Sequence, residues 1–432
     1  MLGARLVRVI AIAALMLGAC ETPSHENVDK WTHTAHGEAK LEKAFGDDSL
    51  DVDLSAHAGA NLLRMGRDAD VRSALQQMAP ARRTAVVAKL AARMWEVARV
   101  DGELAMPRPE QVQGKDALVM LRKLADDAGK AQIDTYLMDW YCVASYDGRA
   151  QTGAVLGPTA MRMLGPPAGK KLMPVVDAIL TAPADGAKHR RIGDELLVGL
   201  AASGNPEAVK YLLDLAKMKT GDATLPDRAL GALYDAYVDP GGLFDQLPPD
   251  ALVPNLDALV AIAKDPTSSG AATSAVKLVR TIGPPACVAP LVGMIGYPHP
   301  NPQFKFVAAD SALKCGGIPV IKDVVHALPE LPYERDQLFG AVVVDITLMT
   351  PPAKVEQVLR ELLAEPGRLP RWVAMEGLAA MKSKADAPAI AALGSAEKLV
   401  GYWGDQSGVD PKDRKADPTL GQRAKELAAA LK

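Results

Sequence analysis

Apolar residues recur along this chain at helical spacing, in short segments that glycine closes and proline reopens. Over 206–218, Val209, Leu212, Leu213 and Leu215 share one face, with Lys210 and Asp214 opposite. Over 226–238, Leu230, Leu233 and Tyr237 repeat the spacing. The same pattern predicts helices over 250–264, 271–282, 284–295, 302–314, 318–328, 332–349, 351–364, 370–381 and 385–393, with a last one over 419–431. Helical pattern starts near Val28. No segment shows the alternation of a half-buried strand. Val342-Val343-Val344 comes nearest and sits in a helical frame. The expected fold class is all-α.

The breaks have a mechanical reading. Glycine closes a helix because it enters the left-handed region without a Cβ penalty. Proline opens the next because its missing N–H is not needed in the first turn. Leu164-Gly165-Pro166-Pro167-Ala168 recurs nearly intact as Ile282-Gly283-Pro284-Pro285-Ala286. The two copies stand about three units of ~40 residues apart, the length of a helical-hairpin repeat. Related breaks fall at Gly204-Asn205-Pro206, Asp239-Pro240-Gly241-Gly242, Gly316-Gly317-Ile318-Pro319 and Thr350-Pro351-Pro352. His189-Arg190-Arg191 reads as the start of a helix after a loop, with a solvated basic edge.

Asp70-Val71-Arg72-Ser73-Ala74-Leu75 has the pattern Asp-Val-Arg followed, one residue on, by Ala-Leu. Asp227-Arg228-Ala229-Leu230, Val307-Ala308-Ala309-Asp310-Ser311-Ala312-Leu313 and Arg371-Trp372-Val373-Ala374-Met375 are looser forms, and the stretch 55–66 ends in its own glycine. With the punctuation, these segments resemble the HEAT-repeat family of α-solenoids. The resemblance implies an α-solenoid of about ten antiparallel helical hairpins over 28–400, closed by a polar loop and capping helix over 401–432. Register stays open between 67 and 151, where 101–114 reads as an insertion. The family usually presents its second helices on a concave face. That face would include Tyr234, Asp235, Lys277, Arg280, Phe304, Arg335, Phe339 and Arg371. What the resemblance implies is a non-catalytic scaffold or assembly factor holding a protein partner. The alternatives are a module for a small molecule or cell-wall glycan, and a cofactor-attachment enzyme of HEAT-like type.

Composition agrees with an array whose core grows by addition. Aromatic residues are 4% of 432, and 36 glycines and 32 prolines are spread along the length. The net charge is −3 with no basic run, which argues against a nucleic-acid partner. The start of the chain is different. Arg5 and Arg8 precede the apolar stretch 9–17, far short of the ~20 residues that span a bilayer. This is the layout of a processed signal. Leu17-Gly18-Ala19-Cys20 then resembles the lipobox of bacterial lipoproteins. It implies removal of 1–19, acylation of Cys20, a short lipidated tether over 20–27 and a membrane-attached body. By the same resemblance, Glu21 in place of Asp favours the outer membrane.

Candidate chemistry is sparse. His33 and His36 stand three apart and His57 follows on the next helix, but solvated positions are the expected reading, with no metal and no cofactor. No Gly-x-Ser-x-Gly or phosphate-binding glycine loop occurs, so no catalysis is expected. Cys287 opens one helix and Cys315 ends the next. In an antiparallel hairpin those ends lie side by side, which allows a disulfide in an exported chain. Two buried thiols remain the alternative. Cys142 reads as a packing residue.

Overall fold

The computed structural model describes residues 22–102, 105–182, 191–218, 222–267, 269–329, 335–403 and 406–432. The leader, Cys20, His189 and Arg190 lie outside the described residues. The described residues form 23 α-helices and four short 3-10 turns, with no strand among them. Contacts divide the chain into two compact units, with the boundary between Ser203 and Gly204.

The first unit contains α1 (His25–Trp31), α2 (Gly37–Gly46), α3 (Val52–Arg64), α4 (Asp68–Gln77), α5 (Pro80–Ala98), α6 (Pro109–Arg122), α7 (Asp127–Tyr141), α8 (Tyr146–Ala150), α9 (Gly157–Leu164), α10 (Pro166–Thr181) and α11 (Asp194–Ala202). Helix α3 packs against α1, α2 and α5, α6 against α5 and α7, and α11 against α9 and α10. Helix α3 is buried almost all round, through Leu54, Ala56, Ala58, Leu62 and Leu63. Gly59 admits the Phe45 ring, since a Cβ there would stand 2.6 Å from it. The stretch 101–114 is not wholly an insertion, because α6 already begins at Pro109. Helix α11 begins at Asp194, so Arg191 precedes it rather than opening it.

The second unit contains α12 (Pro206–Leu215), α13 (Leu225–Tyr237), α14 (Leu256–Ala263), α15 (Ser269–Ile282), α16 (Val288–Ile295), α17 (Phe304–Gly316), α18 (Ile321–Ala327), α19 (Arg335–Thr347), α20 (Pro352–Ala364), α21 (Arg368–Ala380), α22 (Ala387–Ala391) and α23 (Leu420–Ala430). Sequential helices pair: α12 with α13, α14 with α15, α16 with α17, α20 with α21 and α22 with α23. The second members also pack in a row, each on the next: α13, α15, α17, α19, α21, α23. The interior of that row is apolar, with Leu233, Val276, Leu278, Ala308, Ala312, Val342, Ile346, Val373 and Leu378 all buried. Each fully buried aliphatic side chain contributes roughly 1.5–3 kcal/mol relative to exposure.

Prolines decide where several helices start. A helix beginning at 284 would put Pro290 in its second turn, where the missing N–H costs a hydrogen bond. The chain turns through 284–287 instead, and α16 opens at Val288 with Pro290 third. Pro254 has the same effect on the helix expected from 250. The chain forms two 3-10 turns, Pro249–Ala251 and Val253–Asn255, before α14. Gly165 and Gly317, at φ 71° and 65°, end α9 and α17 in the left-handed region that a side chain disfavours.

The polar C-terminal stretch is anchored. The Asp417 carboxylate accepts the Gly401 N–H at 2.6 Å, Leu399 N–H donates to Pro418 at 2.9 Å, and Trp403 Nε1 donates to Ala416 at 3.1 Å.

Candidate functional site

The packed row α13–α15–α17–α19–α21–α23 carries the residues expected on a partner-binding face. Its helices are fixed by apolar positions three and four apart, which leaves polar side chains between neighbours. Lys277 of α15 lies over the Tyr234 ring of α13, 5.0 Å from its centroid. Arg280 of α15 reaches Asp310 of α17 at 3.6 Å, and Lys314 holds the same carboxylate at 2.6 Å, one helical turn away. Asp345 of α19 faces this group. Burial and the Asp310 charge raise its pKa above the ordinary carboxylate value, and Lys314 opposes them.

Further along, the contact changes from charge to ring. Phe339 of α19 meets Trp372 of α21 with centroids 4.4 Å apart, and Tyr402 stands 6.1 Å beyond Trp372. Arg423 of α23 lies over Tyr402 at 5.4 Å and makes a bidentate pair with Glu376 of α21, at 2.8 and 3.0 Å. Hydrogen bonds to Glu376 raise the Arg423 pKa above its already high value. The pairs Lys277–Tyr234, Arg280–Asp310, Phe339–Trp372 and Arg423–Glu376 each join two consecutive helices of the row.

Not all the expected residues point outward. Phe304 is fully buried and stacks on His299 at 4.4 Å, so it belongs to the core and not to an exposed face. Its position at the first turn of α17 turns it under the loop 297–303. Arg371 is half-buried and donates from Nε to the Glu365 carbonyl at 2.7 Å, closing the turn between α20 and α21. Asp235 is exposed on α13. The backbone of Arg335 starts α19, and its side chain lies outside the described residues. Sequence reasoning missed Asp310, Lys314, Asp345, Trp372, Glu376 and Arg423. Only the Asp310–Lys314 spacing was a readable signal; the others depend on which helices become neighbours.

A cleft of about 350 Å³ opens between α17 and α19. Asp310, Lys314 and Asp345 form its polar side, and Leu313, Ile318 and Leu348 its apolar side. Leu348 is 74% exposed. Near the same hairpins, Cys287 and Cys315 are joined, with Cα atoms 6.6 Å apart. Cys287 caps α16 and Cys315 lies in the last turn of α17, and these helices pack on each other.

Other polar groups are built into the first unit. Lys115 has no exposed side-chain surface. Its ammonium donates to the Thr152 and Val155 carbonyls at 3.1 Å each, pairs with Asp116 at 2.6 Å and lies over Trp140. Burial lowers its pKa, against the pull of Asp116. The buried guanidinium of Arg149 donates to the Trp140 and Gly102 carbonyls at 2.7 and 3.1 Å. Both cations fasten loops to helices. Burial pushes the Cys142 thiol up to about 12, which keeps it protonated and unreactive at neutral pH.

His33 and His36 do not lie on a helix face: α1 ends at Trp31, and both fall in the turn before α2. His57 instead meets His25, with Nδ1 atoms 2.9 Å apart. Among the described residues, no group of three or more His, Cys, Asp or Glu side chains is arranged to hold a metal ion. No helix among them is long and apolar enough to cross a membrane.

Compared with models of known protein families and with curated proteins, the chain matches none.

Proposed function

We propose that this chain is a bacterial lipoprotein, acylated at Cys20, whose helical body is a HEAT-like α-solenoid acting as a non-catalytic scaffold in the cell envelope. The observation that carries the reading is the row of second helices in the second unit. Its side chains form three groups of cation–ring, ion-pair and ring–ring contacts, at Tyr234–Lys277, at Arg280–Asp310–Lys314 and from Phe339 to Arg423. Aromatic and arginine side chains set in such groups are favoured anchors for a protein partner. The lipobox-like run ending at Cys20, the short apolar leader and Glu21 support a lipid-anchored body at the outer membrane.

The cleft between α17 and α19 favours a second reading, a binding module for a small molecule or glycan. Its volume falls in the range of ligand sites, and polar groups converge on one wall.

Site-specific photo-crosslinking in intact cells separates the scaffold from its alternatives. Photoreactive residues at Lys277, Lys314 and Phe339 should give discrete adducts with one partner, whereas the same probe at Lys354 or Gln357 on α20 should not. Equal adducts from both sets, or none from the row, would overturn the scaffold reading.

A further inference from the structure

His25 and His57 are placed so that the number of protons they share matters. Nε2 of His57 stands 2.7 Å from the Asp29 carboxylate, which fixes a proton on that nitrogen. Its Nδ1 therefore presents a lone pair, and 2.9 Å away is Nδ1 of His25. The ring centroids lie 5.2 Å apart, which is that contact plus one ring radius at either end. The rings thus meet edge to edge, nitrogen pointing at nitrogen, in the geometry of a single N–H···N hydrogen bond. A tetrahedral metal ion would hold the two nitrogens farther apart and bent.

The proton count follows. With both rings neutral, His25 donates from Nδ1 to His57, and its Nε2 is bare. That bare Nε2 faces Asp53 at 3.7 Å, and one proton added there leaves the N–H···N bond intact. A second has only His57 Nδ1 left, where it would oppose the N–H of His25 head on.

We propose that this pair is a proton-counting latch that holds α1 on α3 while it carries at most one extra proton, and loosens α1 when both imidazoles are protonated. The two histidines sit on different helices, α1 and α3, so their contact is an inter-helix contact. The charged groups around them come from α1 (Glu26, Asp29, Lys30), α3 (Asp53, Arg64) and α5 (Arg93, 2.9 Å from Asp53), with Lys40 of α2 over the Trp31 ring. Burial works against a charged His57, Asp29 supports it, and Arg93 and His25 oppose it, leaving its pKa below the ordinary value. The sign is then set. At His57 the folded state takes up fewer protons than the unfolded state, so its contribution is complete above about pH 6.5 and is lost as pH falls. Val28 and Trp31 are buried, and Asn61 donates to the Val28 carbonyl at 3.2 Å, so α1 has ties besides the latch and loosens without being released.

Amide exchange of the full chain, followed by mass spectrometry and corrected for intrinsic rates, tests this. Between pH 7.5 and 5.0, peptides covering 24–33 should lose protection by up to roughly tenfold, since pH 5.0 lies more than one unit below the ordinary imidazole value of the unfolded chain. Peptides from α13 and α15 should not change. His25 is more than half exposed, so H25A should fold, and its 24–33 exchange should show a clearly smaller pH step, because only burial and Arg93 still act on His57. A pH step of the same size in H25A, or no step in the unaltered protein, would overturn the latch. So would one equivalent of Zn²⁺ protecting 24–33 at neutral pH, since the pair would then be a metal site.

Discussion

Cys287 and Cys315 show what two side chains add to a hairpin. The bond closes a loop across a sequence separation of 28, for which loss of chain entropy in the unfolded state predicts a stabilisation of about 3.5 kcal/mol. C315S, or reductant added to the unaltered protein, should lower the stability of the second unit by that order. Urea unfolding with and without reductant measures it, and non-reduced peptide mapping should recover the 287–315 pair. No change on reduction would show that the two sulfurs contribute only as packed apolar atoms. The sequence allowed the pairing, with two buried thiols as the alternative, because it placed both cysteines near adjoining helix ends, although α16 opens at Val288 and not at Pro284. The burial of Phe304 was not legible, because it depends on the loop 297–303 folding back over α17, and helical spacing does not encode that.

At the scale of elements, helices are fastened by a few polar ties across their ends. Arg360 of α20 donates from Nε and Nη2 to the Asp386 carboxylate at 2.9 to 3.1 Å, and Ser383 adds a hydroxyl at 2.7 Å. The hydrogen bonds from Arg360 hold Asp386 below the ordinary carboxylate range against its own burial. Its folded pKa is depressed, so this stabilisation is present above about pH 4 and is lost as pH falls through the folded value. D386N should cost about 2 kcal/mol at pH 7, and much less near pH 2. Unfolding midpoints of both proteins at the two pH values give the comparison; an equal loss at both would mean that the tie does not depend on charge. Helix boundaries were readable wherever proline fell in the first turn, as at Pro206 and Pro352. They shifted where a second proline, Pro254 or Pro290, forbade the earlier start. That rule was local and could have been applied to the sequence directly.

At the scale of the whole chain, the anchor and the body are separate expectations with separate tests. C20S should move the body from the membrane fraction to the soluble fraction, because two or more acyl chains are what make such attachment stable. A body that stays with the membrane would leave the lipobox-like run without its expected role. The division between Ser203 and Gly204 falls at the break Gly204-Asn205-Pro206, but the sequence did not set that break apart from the others of its kind. The sequence by itself determined the all-helical class of the described residues and most helix ends, because these rest on spacing of three to four residues and on the backbone limits of glycine and proline. Only the tertiary structure decided that Lys277 meets Tyr234, that Arg423 meets Glu376 and that His57 meets His25 instead of His33 or His36. Those pairs join residues on different helices, and their contact depends on how the apolar faces dock, which no local pattern records.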